Sequence, residues 1–134
     1  MNHTYVKKLL DLPNSVMIGS RGLGLPNWND TDIAVLGSEL PEEFLNFQKF
    51  DLTNYFRTVP MGNNLLMKLQ EPIGDMFGST ISIDVLIFDS QEGIDAIHAA
   101  MNDMYSIPKY MLYNKIDRVR MYEQALQHAI NNPS

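Results

Sequence analysis

Hydrophobic and polar positions alternate along part of this chain and recur at helical spacing along others. From Thr80 to Phe88, Ile81, Ile83, Val85 and Ile87 share one face of a pleated strand, while Ser82, Asp84 and Leu86 share the other. Leu65–Glu71 is also strand-like. The Pro-, Gly- and Asp-containing connection between the two predicts an antiparallel hairpin with a long loop. Val16-Met17-Ile18, closed by Gly19-Ser20, and Asp32–Leu36, stopped by Gly37-Ser38, predict two further short strands. Helices are expected over Thr4–Leu12, ended by Pro13, and over Glu39–Phe50, where Phe44, Phe47 and Phe50 form a stripe. Two longer amphipathic helices are expected over Gln91–Met104 and Lys115–Ile130. In the second, Ile116, Val119, Leu126 and Ile130 lie on or near one face. Asp51–Met61 fits neither period, and residues 19–29, part of which can be helical, are expected to begin and end as loop. This order predicts an α+β domain, a small mixed β-sheet flanked by helices.

The chain has 134 residues, which bounds it to a single domain spanning 1–134. With no Cys, disulfides, thiolate metal sites and a cysteine nucleophile are excluded. No apolar run is long enough for a signal peptide or a membrane span, so a cytoplasmic protein with no membrane partner is expected. Ten basic against 16 acidic residues give a formal charge of −6. An acidic chain has no global field for collecting nucleic acid, so a site for any phosphate-bearing substrate must reverse the sign locally.

Asp30 and Asp32 stand at the entrance to a strand, where residues two apart point to the same face. Asp84 interrupts an otherwise apolar strand, on the face opposite the Ile81–Ile87 stripe, and needs compensating charge or donors there. If the two strands are neighbours, three carboxylates converge. Clustered carboxylates without His or Cys favour Mg²⁺ or Mn²⁺, which complete their shells with water and substrate phosphates. The Gly19-Ser20 turn after a strand offers backbone N–H groups and a hydroxyl to phosphate oxygens, and Arg21 follows it.

In this order the residues resemble the polymerase-beta-like nucleotidyltransferase superfamily. The similarity runs from Val16-Met17-Ile18-Gly19-Ser20-Arg21, through a spacer with Gly24, to Asn29-Asp30-Thr31-Asp32-Ile33-Ala34-Val35, and then to Asp84 in Ser82-Ile83-Asp84-Val85-Leu86-Ile87. It covers roughly residues 16–88, leaving helices over 91–131. Thr31 replaces the family's usual aliphatic residue. The chain is most similar to small, stand-alone members, some of them antitoxin-type. The resemblance implies the nucleotidyltransferase fold and transfer of an NMP from an NTP, with release of pyrophosphate, to a hydroxyl of a protein or nucleic-acid acceptor whose identity it leaves open. It implies two Mg²⁺ (or Mn²⁺) ions held by Asp30 and Asp32, with Asp84 on the catalytic ion and helping to deprotonate the acceptor. Ser20, with the Gly19 backbone, is implied at the terminal phosphates.

Other readings attach to the same residues. Asp30-Thr31-Asp32 alone also fits a solvated turn cap. The glycines match neither a Walker loop nor a dinucleotide fingerprint. Trp28 fits base stacking or packing. His98, among Ala and Ile, is expected to be structural. Of Lys68, Lys109, Lys115, Arg118 and Arg120, Lys115 is the one assigned to the nucleotide. The alternative function is a non-catalytic module of the same fold that binds a partner or senses NTP, and a homodimer or partner protein completing the cleft is a further expectation.

Overall fold

The computed structural model describes residues 4–26, 30–52, 63–72, 78 and 80–132. Among them are helices α1 (Thr4–Leu10), α2 (Gly19–Gly22), α3 (Gln91–Tyr105) and α4 (Lys115–Asn131). The strands are β1 (Val16–Ile18), β2 (Asp30–Leu36), β3 (Lys49–Asp51), β4 (Leu65–Pro72) and β5 (Thr80–Phe88). They form one mixed sheet in the order β1-β2-β5-β4-β3, with β2 and β5 parallel and the other pairs antiparallel. The mixed α+β class and the β4–β5 hairpin agree with the sequence pattern. The parallel β2–β5 pairing comes from the fold, since strands so far apart in sequence carry no local signal for it.

Strand alternation divides the core in two. Ile33, Val35, Ile83, Val85, Ile87, Met67 and Leu69 point to the face covered by Val6 and Leu9 of α1 and by Phe44. Ala34, Leu66, Leu86 and Phe88 point to the other face, under Ile94, Ile97, Met101 and Met104 of α3 and Tyr122 and Leu126 of α4. The start of β2 and the middle of β5 present Asp30, Asp32, Ser82 and Asp84 on this second face. Those side chains are exposed or half-buried, so the helical layer leaves this end of the sheet open. Ser90 and Asn114 cap α3 and α4, accepting from the N–H groups of Gly93 and Asp117 at 3.1 Å each.

Three expectations are corrected. Residues 19–29 do not begin as loop, because Gly19–Gly22 forms the short helix α2 directly after β1. Residues 39–50 do not form one helix. The segment makes 3₁₀ turns at Gly37–Glu39 and Glu42–Phe44 and then enters β3. Pro41 is extended and breaks any continuous helix, while pairing of Lys49–Asp51 with Leu65–Met67 takes the last residues into the sheet. Phe44 is buried, Phe47 half-buried and Phe50 exposed, so the supposed stripe serves different surfaces. In α4, Leu126 is buried but Ile116 and Val119 are exposed. Ile116 sits roughly a quarter turn or more round the helix from the Tyr122–Leu126 stripe.

Asn14 joins the layers. Its backbone N–H and Nδ2 donate to the Glu39 carboxylate at 3.1 and 2.6 Å, and its Oδ1 accepts from Gln91 of α3 at 2.9 Å. His98 Nε2 lies 2.7 Å from the Asn14 carbonyl, the structural role expected for it. Asn14→Ala removes the two side-chain bonds and is expected to cost about 1–2 kcal/mol, or about 4–8 °C in Tm by calorimetry.

Candidate active site

The geometry of the site begins with register. In the parallel β2–β5 pair, Asp32 is opposite Asp84 and Asp30 opposite Ser82. Across the antiparallel β4–β5 pair, Asp84 is opposite Lys68 and Ser82 opposite Gln70. Two polar rows therefore cross three strands, Asp32–Asp84–Lys68 and Asp30–Ser82–Gln70. Neighbouring strands lie about 4.8 Å apart, so each row brings its side chains within interaction range. Asp30, Ser82, Asp84, Lys68 and Gln70, with Leu69, line an open cleft of about 510 Å³. Small-molecule sites commonly occupy roughly 300–1,000 Å³.

The electrostatics of the cleft centre on Asp84. Burial pushes its carboxyl above the ordinary value of 3.8; Lys68 pulls it down and the Asp30 carboxylate pushes it up. Burial dominates, so the fold holds Asp84 against its preference for water. Lys68 is the cation that faces it, and β4 alternation (Leu66, Lys68, Gln70) assigns it to that face.

The Gly19-Ser20 turn meets β2 at Asp32. Gly19 opens α2 with φ +69°, and a Cβ built there would collide with Oδ2 of Asp32. Only glycine permits both that conformation and that approach. From the far side, α4 reaches the same turn: Arg118 donates through Nη1 to the Leu112 carbonyl at 2.9 Å and through Nη2 to Ser20 Oγ at 3.4 Å. Lys109, in the 3₁₀ turn Lys109–Leu112, donates to the Gly24 carbonyl at 3.4 Å. Tyr122 of α4 is buried beside them. Its hydroxyl is held well above the usual phenol range by burial first, then by the charge of Asp32 and by Tyr105.

Asp30, Asp32 and Asp84 thus share one face and one end of the sheet, next to Gly19 and Ser20. Arg21 turns elsewhere: its Nη1 donates at 2.7 Å to Oγ1 of Thr31, which is buried on the opposite face of β2. Lys115 is exposed at the first position of α4, and the residue of that helix that reaches Ser20 is Arg118. Helical phase distinguishes them, but only once the packing of α4 is known. Lys68 could have been singled out from strand alternation. Tyr122 carried no signal, because its proximity to Asp32 is purely tertiary. Trp28, Asn29 and most of 51–61 lie outside the described residues.

The donor set is all carboxylate and hydroxyl oxygen, which suits a hard divalent ion held by one or two carboxylates and completed by water and phosphate. Among the described residues, no group of three or more acidic or imidazole side chains is gathered closely enough to hold a metal by itself. Asp30 and Asp84 face the same cleft, and Mg²⁺ is typically held by one or two carboxylates. Among the described residues, no helix is long and apolar enough to cross a membrane. No protein-family model, no curated protein and no solved structure matches this chain.

Proposed function

We propose that this protein is a Mg²⁺-dependent nucleotidyltransferase that moves an NMP from an NTP to an acceptor hydroxyl. The observation that carries this reading is the parallel register of Asp32 with Asp84, with Gly19-Ser20 set against Asp32. It combines paired carboxylates with a half-buried Gly-Ser turn, the combination that the resemblance to the polymerase-beta-like superfamily requires.

On this reading Asp30, Asp32 and Asp84 hold Mg²⁺ (or Mn²⁺), two ions in all. The metal supplies charge neutralisation for the phosphates and lowers the pKa of the attacking hydroxyl. Ser20 Oγ and the backbone of α2 hold the terminal phosphates, with Arg118 adding positive charge behind Ser20. Arg21 and Lys115, given to the nucleotide by sequence alone, rank behind Arg118. The acceptor oxygen forms a bond to the α-phosphorus as the bond to the bridging oxygen breaks. Pyrophosphate leaves with that electron pair, and the hydroxyl proton passes to Asp84. Lys68, opposite Asp84, offsets part of its charge when no metal is bound.

The test is label transfer from each α-labelled NTP in Mg²⁺, with RNA and protein acceptors. Transfer that vanishes in the Asp30→Ala/Asp32→Ala double variant is the expected result. A second reading, an NTP-sensing module without transfer, draws on the absence of a gathered three-carboxylate group among the described residues. Saturable NTP–Mg²⁺ binding with no acceptor ever labelled would favour it.

A further inference from the structure

The chain is acidic, yet one segment beside the cleft reverses the sign. Residues 105–120 contain Lys109, Lys115, Arg118 and Arg120 against Asp117 alone, a local charge of 4 − 1 = +3. The remainder of the chain then carries −6 − 3 = −9. The segment also exposes aromatic rings: Tyr105 is 54%, Tyr110 73% and Tyr113 59% exposed. Lys109, Tyr110, Tyr113 and Lys115 follow one another along the 3₁₀ turn and the entry to α4, so one connection carries two rings between two cations.

This surface adjoins the candidate active site. Lys109 bonds the Gly24 carbonyl just beyond the Gly19-Ser20 turn, and Arg118 reaches Ser20. Tyr105 shares the surroundings of Tyr122, which lies close enough to Asp32 to feel its charge. A ligand lying along the surface is therefore led towards the carboxylates.

We propose that the 105–120 surface binds single-stranded nucleic acid, which on the nucleotidyltransferase reading is the acceptor whose terminal hydroxyl attacks the α-phosphorus. A single strand offers both partners the surface calls for: phosphates for Lys109 and Lys115, since Arg120 is paired with Asp117 at 3.2 Å, and unstacked bases for the tyrosine rings. A polyanion would also prefer this patch to the −9 remainder, which repels it. A second copy presenting the same patch would set +3 against +3, which disfavours a symmetric self-contact. A duplex hides its bases and would leave the rings without partners. The exposed Ile116 and Val119 lie on the same stretch and define the rival occupant, an acidic amphipathic protein segment.

The docking step is measured without NTP or divalent metal, so it does not depend on catalysis. A 5′-labelled single-stranded RNA of about 12 nucleotides is titrated by fluorescence anisotropy at two salt concentrations. Expected is saturable binding that weakens with salt. Tyr110→Ala and Tyr113→Ala should each weaken it about 5- to 100-fold. Lys115→Gln should flatten the log–log salt slope by about 0.7. All three residues are exposed, and an unchanged circular dichroism spectrum and Tm confirm that the variants fold. Absence of RNA binding, or binding indifferent to all three substitutions, overturns the proposal. So does saturable binding of an acidic amphipathic peptide that Ile116→Asp abolishes while RNA does not bind. RNA binding with the expected variant pattern, but no label transfer by the wild type, supports this docking site and sinks the transferase reading. Label transfer to protein alone, with no RNA bound, does the reverse.

Discussion

Asp84→Asn is expected to make the metal-free protein more stable while removing its activity. Burial is the largest influence on this carboxyl and raises its pKa; Lys68 opposes it and Asp30 reinforces it. The ionised form is therefore less favourable in the folded protein than in the unfolded chain. The sign follows directly. The destabilisation is absent below the ordinary carboxylate value, where Asp84 is protonated in both states. It is fully present above the raised folded-state value, where both states are ionised. At neutral pH the Asn variant escapes it, and a gain of about 0.5–1 kcal/mol, or about 2–4 °C in Tm, is expected. The figure is kept small because the side chain is only half-buried and water screens it. The gap between variant and wild type should close on acidification through the carboxylate range. Transfer should fall by about 10²–10⁴-fold, the effect of losing a positioned base. Calorimetry in chelator at pH 7 and at about pH 3, paired with the label-transfer assay, checks both halves. A variant less stable than wild type at pH 7 would mean that the Lys68–Asp84 attraction outweighs burial. On the proposed reading, a carboxylate held at a cost in stability is one placed to receive a cation.

Gly19→Ala is expected to damage fold and activity together. The left-handed conformation at φ +69° is strained for alanine, and its Cβ would strike the Asp32 carboxylate. Relief requires either the turn or Asp32 to move. A loss of about 1–3 kcal/mol follows, seen as a Tm lowered by about 4–12 °C. Displacement of Asp32 by even about an ångström should reduce transfer at least about 100-fold. Ser20→Ala is the control, since it keeps the backbone and removes only the hydroxyl that Arg118 contacts. It should leave Tm within a degree or two and weaken NTP binding, separating the shape of the turn from its chemistry. If Gly19→Ala matched wild type in both Tm and transfer, the close packing of the turn against Asp32 would have no functional weight.

Much of this architecture was legible in the chain because it is encoded locally. The period-two pattern of Thr80–Phe88 assigned Ile81–Ile87 to a core face and Asp84 to the opposite one, and strand geometry alone made that correct. Gln91–Met104 reads as an amphipathic helix for the same kind of reason, and the structure forms it over Gln91–Tyr105 with Ser90 at its cap. The local reading failed where pairing competed with propensity. Residues 39–50 have helical spacing, but Pro41 and the pairing of Lys49–Asp51 with β4 prevailed. It failed also where an amphipathic face extends beyond what packs on it, as at Ile116 and Val119.

Sequence by itself determined the residue types of the site and the faces of their own strands: Asp30 and Asp32 together, Asp84 opposite an isoleucine stripe, glycine and serine at the end of β1. Only the tertiary structure decided that β2 lies parallel to β5 in the register that sets Asp32 beside Asp84. It also decided that Lys68 faces Asp84, that Arg118 rather than Lys115 reaches Ser20, and that Tyr122 lies near Asp32. The physical reason is one of range. The direction of a side chain from its own strand depends on backbone geometry over a few residues, which the sequence pattern carries. Strand order, register and helix phase depend on how two cores close on opposite faces of the sheet, a property of the whole chain.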